Sequence, residues 1–204
     1  MRLLALLALL GLSMTTHAAD LTIARLFADP PLSGPAPRAL KVSPDGSRVT
    51  FLRGRADDQN RLDLWEYRIA GGKTARLVDA DLLAPGVEAL SDEEKARRER
   101  ARIAAFSGIV EYQFAPDGQS ILFPLGGALY LYDLRKTGPQ AVRALTRAED
   151  GFATDPKVSP RGRHVSFVRD RALWVVDLAS GAERRITPAA TGTVSYAMAE
   201  FVAQ

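Results

Sequence analysis

Two histidines and no cysteine set narrow limits on the chemistry open to this 204-residue chain. A serine nucleophile of the elbow type needs Gly-x-Ser-x-Gly, and Gly192-Thr193-Val194-Ser195 has the wrong spacing. His17 lies in a leader-like start. His164 sits beside a turn, where a surface or sheet-packing histidine is a better reading than a general base. One remaining histidine and no cysteine exclude the familiar zinc sites, so neither metal nor cofactor is expected. Gly71-Gly72 and Gly126-Gly127 read as hairpin turns, because no helix start follows them to cradle a phosphate. What remains is charge. Acids and bases interleave from Asp92 to Arg102, with Ser91 and Glu94 as a capping-box pair, acids in the first turn, and Arg97, Arg98, Arg100 and Arg102 at the end. That order predicts a helix with a solvated charged face. Much of the basic excess behind a pI near 9.4 and a net charge of +3 sits in this stretch. No recognition motif accompanies it, so nucleic acid is not the expected partner.

The elements around this helix announce themselves by repetition. Val42-Ser43-Pro44-Asp45-Gly46 returns as Phe114-Ala115-Pro116-Asp117-Gly118 and as Val158-Ser159-Pro160-Arg161-Gly162. Proline presets one turn dihedral and glycine accepts the positive φ that a bulged turn needs, so strands must flank each copy. A second template recurs in Asp63 to Ile69, Ala128 to Leu134 and Ala172 to Leu178, each apolar and aromatic and each leading to a further turn and a polar strand. Four strands per unit make one blade of a β-propeller. The second and third turns lie 44 residues apart, the period of such blades, and the first and second lie 72 apart. The surplus falls on residues 81–107, which read as a helical insertion. The expected fold is therefore all-β: a partial propeller of about three four-stranded antiparallel blades with an inserted helical segment.

Three blades cannot close a propeller, so the chain is expected to be the N-terminal piece of a longer protein, ending inside a helix from Ala197 to Gln204. Residues 1–19 read as a signal peptide: Arg2, the apolar stretch Leu3 to Leu12, and small residues at Ala18 and Ala19 for cleavage. An exported protein, periplasmic or extracellular and free of the membrane once the signal is removed, is expected. Without cysteine it must rely on packed sheets alone.

The blade repeats, the insertion Glu94-Lys95-Ala96-Arg97-Arg98-Glu99-Arg100-Ala101-Arg102-Ile103, the run Ser107-Gly108-Ile109-Val110-Glu111-Tyr112 and the closing Ala199-Glu200-Phe201-Val202-Ala203-Gln204 resemble the N-terminal propeller of bacterial dipeptidyl peptidase IV enzymes, of the prolyl oligopeptidase family. The resemblance covers residues 20–204. It implies a full-length serine enzyme that releases Xaa-Pro dipeptides from peptides with a free N-terminus, its triad in a C-terminal α/β-hydrolase domain absent here. The propeller would gate and position the substrate, and the parent could pair as a homodimer. In such enzymes an arginine of the inserted segment holds a substrate carbonyl, and two adjacent acids hold the α-amine. Carried over, the arginine falls on Arg102, with Arg98 one turn back as the alternative, and the acid falls on Glu200, which stands alone. No catalytic residue is expected in this chain. A periplasmic propeller of the TolB kind, acting as a protein-binding scaffold, is the alternative reading, and a non-functional truncated remnant a third.

Overall fold

The computed structural model describes residues 21–28 and 31–199. The expected signal peptide, Glu200 and residues 201–204 lie outside them. After a short helix α1 (Ile23–Leu26), the first sheet runs β1 (Arg38–Val42), β2 (Arg48–Gly54), β3 (Arg61–Arg68), β4 (Lys73–Val78), each antiparallel to the one before. An excursion holds α2 (Ala80–Leu83), α3 (Asp92–Arg100) and the two-residue β5 (Ser107–Gly108). The second sheet is β6 (Gln113–Phe114), β7 (Ser120–Leu125), β8 (Ala128–Asp133), β9 (Val142–Ala144). The third is β10 (Thr154–Val158), β11 (His164–Arg169), β12 (Ala172–Asp177), β13 (Glu183–Arg185). This is the expected partial propeller.

All three repeated turns connect the first and second strands of their blades with one hydrogen-bond pattern. The glycine N–H donates to the carbonyl of Ser43, Ala115 or Ser159, at 2.8, 2.9 and 2.8 Å. The N–H of that same residue donates to the carbonyl of Arg48, Ser120 or His164. Gly46, Gly118 and Gly162 take φ of 68°, 66° and 64°, the left-handed region that a residue without Cβ enters at no steric cost. In the first turn, hydrogen bonds from the Ser43 hydroxyl and from Ser47 hold the Asp45 carboxyl down at about 2.

Strand alternation explains how the blades stack. On β7, Ile121, Phe123 and Leu125 face the first blade while Leu122 faces the third, so the middle strand is apolar on both sides. On β8, Tyr130 and Tyr132 pack toward the first blade, and Leu129 and Leu131 toward the third. Trp174 and Val176 of β12 repeat the pattern by packing on the second blade. The corresponding Trp65 and Tyr67 of β3 point away from the second blade. Tyr67 is therefore 40% exposed, whereas Tyr132 and Val176, at the same place in the repeated template, are buried.

The excursion is less helical than expected. Between α2 and α3 the chain is irregular, and its return as β5 adds a parallel strand beside β3 (Arg61↔Ser107, Leu62↔Gly108). Gly108 takes φ 75° there, and a Cβ would stand 2.5 Å from the Leu62 carbonyl oxygen, so only glycine fits. Residues 197–199 are not helical, and Ala197 has φ 58°, which breaks the terminal helix expected from that point. Among the described residues no helix is long and apolar enough to cross a membrane.

Candidate functional site

Ser91 starts α3 by accepting a hydrogen bond from the Glu94 N–H at 3.2 Å. The reciprocal half of the capping box does not form, because the Glu94 side chain turns inward and is 3% exposed. Its carboxylate accepts from Arg97 Nε and Nη2 (2.7 and 2.9 Å), from Arg98 Nε (2.6 Å), and from the Thr154 hydroxyl on β10. Burial opposes the charge, but these donors together outweigh it and hold the Glu94 carboxyl below its usual range. One carboxylate thus ties the insertion to the third blade.

Arg97 continues the network, donating from Nη1 to Glu111 Oε2 at 3.0 Å. The other oxygen of Glu111 is buried without a partner. Burial pushes the Glu111 carboxyl up, against the pull of Arg97. Arg98 is fully engaged: besides Glu94 it donates to Glu88 Oε2 at 2.8 Å and to the Phe106 carbonyl at 3.0 Å. Toward the first blade the ion pairs carry on through Arg61 and Asp81 to Arg55, which also meets Asp63 and Asp79. Asp63, 1% exposed, further accepts from Arg76 and from the Ala80 N–H. The insertion is riveted at both ends through Glu94, Arg97 and Arg98, while Asp92, Lys95 and Glu99 form the solvated charged face expected from sequence.

Arg102 lies off this network. The helix closes in a Schellman motif: the Arg102 N–H donates to the Glu99 carbonyl, and the Ile103 N–H to the Arg98 carbonyl at 2.9 Å. Arg102 occupies the left-handed position of that cap, φ 55°, and its side chain is exposed. It does not share a helical face with Arg98, contrary to the spacing argument, since α3 ends at Arg100.

Between α3, the first two strands of the third blade and residues 197–199 lies a cavity of about 370 Å³. Arg97 and Arg100 line one side, Thr154 and Asp155 the other, and Ala197 to Ala199 close it. Arg100 is half-buried and forms no ion pair or side-chain hydrogen bond among the described residues. The sequence reading overlooked it. The signal was its place three residues after Arg97, on the helix face that carries the cavity. Asp155 takes φ 49° here, and so does Ala39 at the matching bulge of β1, so this strain belongs to the blade repeat and not to the cavity. Arg98 and Arg102 do not line the cavity, and Glu200 lies outside the described residues, next in sequence to its wall. His164 is exposed, 3.4 Å from the Asp177 carboxylate. Among the described residues no group of three or more histidine or acidic side chains is gathered for a metal.

Residues 115–204 match the family model of the dipeptidyl peptidase IV (DPP IV) N-terminal region. Strands β7 to β13 and the cavity wall at 197–199 lie within that match, which supports the resemblance carried by the sequence. Among solved structures the chain is similar to dipeptidyl peptidase 4 of Porphyromonas gingivalis, at 23% identity and a TM-score of 0.45, over 74% of this chain and 19% of that one. It is also similar to the tricorn protease, at 13% identity and a TM-score of 0.48, over 75% of this chain and 13% of that one. The chain spans less than a fifth of either.

Proposed function

We propose that this chain is the N-terminal propeller portion of an exported serine dipeptidyl peptidase, that residues 1–19 direct its export, and that the cavity between α3 and the third blade receives the N-terminal end of a peptide substrate. The observation that carries the reading is a half-buried arginine without a partner among the described residues, Arg100, lining a cavity whose far wall belongs to the stretch matching the dipeptidyl peptidase IV N-terminal region. A cation held on a helix pinned at both ends suits a peptide carbonyl oxygen, because the group is positioned before substrate arrives. Glu200, which follows the cavity wall, is the acid for the α-amine in this reading. Chemistry itself falls to a hydrolase domain of the longer protein, and the propeller limits entry. Of the arginines singled out by the resemblance, Arg98 already meets two carboxylates and a carbonyl, and Arg102 caps the helix outside the cavity, so the geometry favours Arg100.

The test uses the full-length protein and a Gly-Pro chromogenic substrate. Arg100→Gln should lower kcat/KM by roughly 10–100-fold, the loss of one charge-assisted hydrogen bond of ~1.5–3 kcal/mol. Arg102→Gln should leave it within about twofold. Unchanged kinetics for Arg100→Gln beside an impaired Arg102→Gln would return the role to Arg102. A full-length protein that never cleaves the substrate would favour the scaffold reading.

A further inference from the structure

On the opposite rim of the arc, the outer strands β4 and β9 diverge and leave a groove of about 750 Å³ between the first and second blades. This volume is in the range of small-molecule sites. Its walls are apolar where Leu77, Leu82 and Val142 stand, and Tyr130 forms an aromatic side, stacked on Phe123 with ring centroids 5.5 Å apart. Leu82 is 82% exposed, a large apolar side chain at the mouth with nothing packed over it among the described residues.

The polar groups of the groove fall into two sets. The acids are engaged: Glu66 accepts from Arg48 and from Arg68 Nε, and Asp79 meets Arg55 and Arg76. The donors are not. Arg68 uses only Nε, leaving both terminal nitrogens of a half-exposed guanidinium without a partner among the described residues. Tyr132 is 5% exposed, yet its hydroxyl forms no hydrogen bond there either. Its ring is covered, but the hydroxyl itself reaches the groove, where an occupant can supply the acceptor it lacks. Arg68 and Tyr132 both line the groove, and burial first and the Glu66 carboxylate second push the Tyr132 phenol up, so the hydroxyl stays a donor at neutral pH. The unengaged polar atoms noted here, the Arg68 terminal nitrogens and the Tyr132 hydroxyl, can all donate.

We infer that the rim groove between the first and second blades binds a small amphipathic carboxylate, its anion held by Arg68 and the Tyr132 hydroxyl and its aryl or alkyl body lying against Tyr130, Leu77 and Val142. Arg68 and Tyr132 recognise the charge, and the apolar walls supply most of the contact area. The groove is separate from the cavity beside α3 and shares none of its lining residues.

The test is titration of the full-length protein with phenylbutyrate, followed by calorimetry and by ligand-observed magnetic resonance, with phenylbutyramide as the uncharged control. The acid should bind and the amide about tenfold more weakly or not at all, the difference of one charge-assisted hydrogen bond. Arg68→Gln and Tyr132→Phe should each weaken the acid about five- to tenfold while melting within a few degrees of the parent, since Glu66 keeps Arg48 and the removed hydroxyl has no internal partner. No saturable binding of phenylbutyrate, equal binding of acid and amide, or binding indifferent to Arg68→Gln would each overturn the inference. Because the amide comparison uses the parent protein, a poorly folded variant does not remove the test.

Discussion

Arg98 Nε lies 2.6 Å from Glu94 Oε1, and the two side chains are 6% and 3% exposed. On an exposed helix this i,i+4 pair would contribute ~0.3–0.5 kcal/mol. Inside the insertion it is part of a closed network in which removing one member leaves the others as buried charges. Arg98→Ala should therefore destabilise the protein by ~3–5 kcal/mol, a loss read by chemical denaturation. A variant within 1 kcal/mol of the parent, on the order of an exposed pair, would show that the network does not hold the insertion.

Arg102 supplies the opposite case. Its left-handed conformation at the end of α3 is one that glycine adopts without cost, and its side chain has no partner among the described residues. Arg102→Gly should raise stability by ~0.5–1 kcal/mol, measured as an increased denaturation midpoint with unchanged slope. Destabilisation would reveal a contact of the guanidinium that the cap geometry does not require.

The carboxylates of Glu94 and Glu111 should respond to pH with opposite signs. Glu94 is held below its ordinary value, so its contribution is present above that value and is lost as pH falls through the lower folded-state one. Glu111 is raised, so it costs stability as pH rises from the ordinary 4.5 through its higher folded-state value. Glu94→Gln should lower the melting temperature at neutral pH. Glu111→Gln should raise it there, with a carbonyl still available to Arg97, and the gain should vanish below the ordinary carboxylate value. Melting curves of both variants from acid to neutral pH decide this, and a Glu111→Gln gain that persists in acid would refute the assignment.

Inter-blade packing predicts a contrast between residues that face a neighbouring blade and residues that do not. Phe167→Ala, in the interface of the second and third blades at 1% exposure, should cost ~3–5 kcal/mol through the cavity it leaves. Trp174→Ala should cost less than Phe167→Ala, because the indole is only partly buried, although it covers the Arg169 guanidinium at 4.0 Å and donates to the Arg169 carbonyl. Tyr67→Ala, on the uncovered face of the first blade, should stay within about 1 kcal/mol of the parent. Equal losses at Phe167 and Tyr67 would mean that this face is covered in solution.

The sequence by itself determined the blades, because the signals that make them are local. Proline and glycine at fixed positions set each turn, strand alternation chose the buried side chains, and the 44-residue period gave the unit. Helix α3 was equally legible from Ser91 and the acids behind it. Tertiary structure alone decided which of its arginines face what. Spacing puts Arg98 and Arg102 on one helical face, but the Schellman turn ends the helix before Arg102, and the approach of β10 and the Glu88 segment buries Arg98. Arg100 is left toward the cavity by that same docking. The parallel strand β5 was invisible for a related reason: two residues carry no periodicity, and Gly108 is explained only by the Leu62 carbonyl, 46 positions away in the chain, which leaves no room for a Cβ. A residue's local conformation follows from its neighbours in sequence, whereas its burial and its partners depend on which element packs over it.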